Sequence, residues 1–117
     1  MSTDTGFIYL AQPYSSSDPA VIEYRVEQGF KATAKLMSEG RIVFSPIVHT
    51  HELGRWIPER LASQHEFWMK QDIAILRHAS ILVILQLPGW DVSKGVAQEI
   101  MVAELCQIPI TFMEPVV

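Results

Sequence analysis

Two carboxylates, a serine, a lysine and two glycines fall close together in Gly89-Trp90-Asp91-Val92-Ser93-Lys94-Gly95-Val96-Ala97-Gln98-Glu99. The apolar run Ile81-Leu82-Val83-Ile84-Leu85 precedes this stretch and reads as a buried strand; an apolar-periodic helix to about Gln107 follows it. A turn between a buried parallel strand and a helix lies at the carboxyl edge of a sheet, where open α/β folds bind ligands. Ser93 fits the N-cap, so the N–H groups of Lys94, Gly95 and Val96 face outward from the helix start, as an anion or ribose site needs. Gly95 allows close approach of a ligand to the backbone. Glu99 lies one turn deeper on the same helix face, where a carboxylate can look back into the pocket. The same residues also fit a plain turn, a cap and a solvated helix residue, so the spacing alone leaves the choice open.

Other residues invite a similar weighing. His49 and His51 form a His-x-His pair, a weak metal signal by itself; as loop residues they fit substrate contacts or solvated polar positions. Tyr14-Ser15-Ser16-Ser17 and the Ser93-Lys94-Gly95 helix start are two candidate cradles for a phosphate, although serines before Asp18-Pro19 are also ordinary turn composition. Trp56 and Trp90 sit in loops and could stack on a base, whereas Trp68 reads as core or interface. Met69, Met101 and Met113 read as packing, and Cys106 as a small buried hydrophobe. No metal or other cofactor is expected.

These residues need elements to place them. At 117 residues the chain is long enough for one domain with one core and too short for two, so residues 1–117 are expected to form a single domain. A net charge of −4 and scattered basic residues argue against a nucleic-acid surface, which needs a basic patch. One cysteine excludes a disulfide framework within the chain. The first residues lack the basic and apolar segments of a signal peptide, and the longest apolar run is far short of a membrane span, so a cytoplasmic protein is expected.

Along the chain, 7–11 is expected to be a strand covered on both faces. A helix follows from Pro19 to Gly40, with Ser17 or Asp18 as its cap. Residues 42–44 form a second strand, and 45–58 a long irregular loop of the kind that is usually functional. A helix over 59–77, with a break near Ala62-Ser63, leads to strand 81–85, the turn and helix already described, and a last strand at 110–113. This βα alternation predicts a parallel sheet with right-handed crossovers and helices on both faces. Three loops, 12–17, 45–58 and 86–93, then meet at one rim.

Three segments in this order also resemble a known family. Tyr9-Leu10-Ala11-Gln12-Pro13 resembles the Y-L-A-G-P opening of the nucleoside 2-deoxyribosyltransferase-like superfamily. Gln71-Asp72-Ile73-Ala74-Ile75-Leu76 with Ala79-Ser80-Ile81-Leu82-Val83 resembles its R-D-L-x-x-L … A-D-x-V-V segment. Asp91-x-Ser93-x-Gly95-x-x-x-Glu99-Ile100-x-x-Ala103 resembles its D-x-G-T-x-x-E-x-x-x-A segment, in the form seen in a small bacterial and phage branch. Gln12 stands where the family often has glycine, Ser80 where it has aspartate, and the glycine after Asp91 is shifted.

The resemblance implies a flavodoxin-like, Rossmann-like three-layer α/β/α sandwich with a mainly parallel sheet of four to five strands in order 2-1-3-4. It implies N-glycosidic cleavage or transfer on a (deoxy)nucleoside or nucleoside 5′-monophosphate. Glu99 then matches the nucleophile, Asp72 an aspartate near the base, Asp91 a carboxylate on the sugar, and Tyr9 a tyrosine that orients the nucleophile. With the rim loops, it puts forward Ala11, Gln12, Pro13, Tyr14, Ser15, Pro46, His49, His51, Trp90, Ser93, Lys94 and Gly95 as substrate-binding residues. It further implies a homo-oligomer, dimer or higher, with a small-molecule nucleoside or nucleotide as partner. The competing expectation is a non-catalytic nucleotide or nucleotide-sugar binding module on the same fold. A receiver-type signalling domain fits poorly, since Gln12-Pro13 stands where it would carry an acidic pair.

Overall fold

A computed structural model describes residues 6–117. Four strands, β1 (Ile8–Ala11), β2 (Val43–Phe44), β3 (Ile81–Leu85) and β4 (Ile110–Met113), form one all-parallel sheet in the order β2-β1-β3-β4. Helices α1 (Pro19–Ser38), α2 (Pro46–Thr50), α3 (Glu59–Ala62), α4 (His65–Leu76) and α5 (Lys94–Leu105) surround it in a three-layer arrangement. The expected sheet order and layers are those observed.

The central strands are apolar at every position because both of their faces are covered. Successive side chains alternate between two cores. Tyr9, Ala11, Leu82 and Ile84 pack with Leu76 of α4 and Val96 and Ala103 of α5. Ile8, Leu10, Val83 and Leu85 pack with Ala32 and Leu36 of α1. In helix α1 the Asp18 carboxylate accepts from the Ala20 N–H at 2.9 Å, Pro19 opens the first turn, and Gly40 at φ 88° carries the chain away from its end.

Two expectations need correction. Residues 45–58 are not an irregular loop. Ser45 caps α2, Pro46 starts it, and a 3-10 turn occupies Glu52–Arg55; a Ser-Pro start is a helix signal that the histidines and glycine around it concealed. Cys106 is exposed. Helix α5 stops at Leu105, and Gln107 takes φ 57°, so the chain turns and buries Ile108 instead. The expected break near Ala62-Ser63 is present between α3 and α4.

Candidate functional site

Strand β1 lies between β2 and β3, so its connection and that of β3 leave the sheet's carboxyl edge in opposite directions. A crevice opens at such a switch point. Here it is a cavity of about 600 Å³, within the range of small-molecule sites.

Glu99 comes to it from the inner face of α5, where Val96 and Ala103 hold the helix to the sheet. It is 5 % exposed, and the wholly buried Tyr9 of β1 donates its hydroxyl to Glu99 Oε2 at 2.5 Å. Asp72 reaches the cavity from α4. It is 7 % exposed, and its Oδ1 has no hydrogen-bond partner. A buried polar oxygen without a partner is costly unless something fills the cavity and donates to it.

Burial dominates the electrostatics. It pushes Glu99 up to about 8; the Tyr9 hydroxyl pulls it down, and Asp72 pushes it up further. Burial likewise raises Asp72 to about 6, opposed by His65. The Tyr9 phenol is raised by burial and by the two carboxylates, so it stays a donor. The pair therefore holds a proton across neutral pH that two exposed carboxylates would have lost.

Of the expected site residues, Glu99, Asp72, Gln12, Pro13, Tyr14, Ser15, Pro46, His51, Ser93, Lys94 and Gly95 line the cavity. Tyr9 stands behind Glu99 and acts on it through the hydroxyl. Four others are placed elsewhere. Asp91 is exposed in the 3-10 turn Trp90–Val92 and is not among the lining residues; Gly89, Val92 and Ser93 face the cavity there instead. Trp90 packs on Phe112 at a centroid distance of 5.4 Å and against the core. Ala11 is buried in that same core. His49 rests on Phe44 at 4.5 Å, and its Nδ1 meets the Ser45 carbonyl at 2.9 Å, whereas Tyr14 pairs with His51 Nδ1 at 2.8 Å. The two histidines thus diverge, as alternate positions around a helix end must.

The structure adds residues beside the expected Asp72. His65, Trp68 and Met69 line the cavity from α4 with it, at the i, i+3, i+4, i+7 spacing of one helix face. That spacing was present in the sequence. The aromatic and thioether suggested core packing, and the cavity interrupts that core. His65 Nε2 donates to Gln98 Oε1 of α5 at 2.5 Å, and Trp68 Nε1 to the Ala62 carbonyl at 2.7 Å. Arg25 of α1 also lines the cavity, reaching over the sheet edge. Among the described residues no group of three side chains could hold a metal ion.

A family model described as a domain of unknown function, DUF1937, matches residues 6–115. The chain belongs to the DUF1937 family. No curated protein matches it. Among solved structures, this DUF1937 domain resembles a 2-deoxyribosyltransferase from the psychrotolerant bacterium Bacillus psychrosaccharolyticus. The TM-score is 0.65 and the identity 23 %, covering 92 % of this chain and 72 % of that one. The resemblance read from three sequence segments therefore holds at the level of the fold.

Proposed function

We propose that this DUF1937 domain breaks the N-glycosidic bond of a (deoxy)nucleoside or nucleoside 5′-monophosphate, by hydrolysis or by transfer to a second base. The observation that carries the reading is the Tyr9–Glu99 hydrogen bond at the base of the cavity, with the Asp72 carboxyl facing the same space. In this reading a Glu99 oxygen attacks the anomeric carbon as the bond to the base nitrogen breaks. The bonding electrons leave with the base, and Asp72 donates a proton to it. The glycosyl ester on Glu99 then passes its sugar to water or to an incoming base, with Asp72 accepting the proton of the attacking group. Tyr9 fixes the rotamer of Glu99 and stabilises its anionic form. The fold shared with a 2-deoxyribosyltransferase supports the same class of reaction.

The burial of Glu99 favours a second reading. It raises the carboxyl to about 8, so Glu99 holds a proton more readily than an exposed glutamate does. A neutral acid there suits a binding module, in which Glu99 donates to a ligand and never attacks it.

The two readings part on one assay, base release from a panel of nucleosides and nucleoside 5′-monophosphates by wild type and Glu99→Ala. Glycosidic cleavage gives release that is abolished in Glu99→Ala. No release from any member, with saturable binding by both folded proteins, gives the binding module. A homo-oligomer is proposed as well, supported by the exposed apolar side chains of Met101, Leu105 and Phe112; sedimentation of a monomer at micromolar concentration would reject it.

A further inference from the structure

Arg25 links the two loops that bound the switch-point crevice. Its Nη1 donates to the Ser15 carbonyl at 2.8 Å, in the loop after β1, and its Nη2 to the Pro88 carbonyl at 3.1 Å, in the loop after β3. It has no carboxylate partner among the described residues. Two glycines make room for the arrangement. Gly89 has φ 93°, and a Cβ there would lie 2.8 Å from Arg25 Nη2. A Cβ on Gly29 would collide with Gln12 Oε1, and the Gln12 amide in turn donates to the Arg25 carbonyl at 2.8 Å. The guanidinium is held at its backbone by Gln12, and its planar fork spans two carbonyls from different loops.

We propose that Arg25 is a positioning residue that sets the width of the ligand crevice, and that Gly89, a glycine its left-handed backbone already favours, also leaves the guanidinium its place in the clamp. Loops at an open sheet edge are otherwise free to move independently, and a planar five-donor group is suited to holding two acceptors at a fixed separation. The effect of the clamp on turnover rests on the glycosidase reading; the clamp itself does not.

Native-state chymotrypsin cleavage after Tyr14, in the loop after β1, and after Trp90, in the loop after β3, tests the clamp. Arg25→Ala is expected to speed cleavage about tenfold at both positions, the factor for ~1.4 kcal/mol. Gly89→Ala is the deciding variant. It is expected to speed cleavage after Tyr14, which is remote from it in sequence, and to add nothing there in the Arg25→Ala background. Faster cleavage confined to Trp90 in Gly89→Ala, or unchanged cleavage after Tyr14 in a folded Arg25→Ala protein, would overturn the clamp. If base release is observed, Arg25→Ala should raise KM about tenfold with kcat within about twofold, a split that general destabilisation does not produce. An unchanged KM would show that the clamp does not govern ligand access, whatever the cleavage rates. Absence of base release would remove the glycosidase reading and leave the cleavage result to decide the clamp.

Discussion

Glu99 and Asp72 titrate as a pair, and burial raises both. Glycosyl transfer needs one of them ionised and the other protonated, so the singly protonated pair is the active form. The pH profile of kcat/KM should therefore be a bell with limbs near the raised values, about 6 and about 8. In the dominant microstate the proton sits on Glu99, so the reacting form is a minority of the active pair. Tyr9→Phe removes a hydrogen bond that lowers the Glu99 value. The alkaline limb should then move to higher pH and the maximal rate should fall; a limb left in place would mean that Tyr9 does not act through Glu99. The same shift has a consequence for folding. A carboxyl whose folded value is raised holds its proton where the unfolded chain would release it. Its contribution to stability is complete below the ordinary value of 4.5 and is lost as the pH rises through about 8. Thermal melts of wild type should therefore decline between pH 5 and 8 relative to Glu99→Gln, which has no proton to lose. Parallel curves for the two proteins would contradict the buried, raised carboxyl.

Helix α1 meets the loop after β1 at Gly29, where the buried Gln12 side chain leaves no room for a Cβ. Gly29→Ala should cost ~1–3 kcal/mol of unfolding free energy in urea. Gly29→Ala should cost much less in a Gln12→Gly background than in the wild type, since the atoms in conflict are gone; an equal cost in the two backgrounds would place the strain elsewhere. Elements of this kind were legible in the sequence to different degrees. Strands β1 and β3 were plain, because strands covered on both faces are apolar without interruption. The turn at 89–95 and the cap at Ser93 were plain because each has its own local chemistry, and Ser93 Oγ does accept from the Val96 N–H at 3.2 Å. Helix α2 was hidden because five residues give too little periodicity to count. Within the α4 stripe Asp72 stands out as a carboxylate, whereas Trp68 and Met69 read as packing, since such residues look the same whether they face a core or a cavity.

At the scale of the whole molecule, the parallel sheet and its order follow from strands separated by helices, and right-handed crossovers leave few other arrangements. That topology brings residues from the whole length of the chain to one crevice, Gln12 and Glu99 among them. What the sequence could not supply was the direction of each side chain at that edge. Asp91 and Lys94 lie in one short stretch, yet Lys94 lines the cavity and Asp91 does not, because the left-handed Gly89 and a 3-10 turn set their headings. Arg25 could not be foreseen at the site, since it starts from the helix on the opposite face and its partners are backbone carbonyls. Among the described residues, no helix is long and apolar enough to cross a membrane. The most direct measurement is the mass of the enzyme during turnover of a 2′-fluorinated nucleoside or nucleotide analogue, which slows release of a sugar from a carboxylate. Nucleophilic catalysis by Glu99 predicts an added glycosyl mass on the segment 95–117, absent in Glu99→Ala. Base release without any adduct, or an adduct that persists in Glu99→Ala, would contradict it.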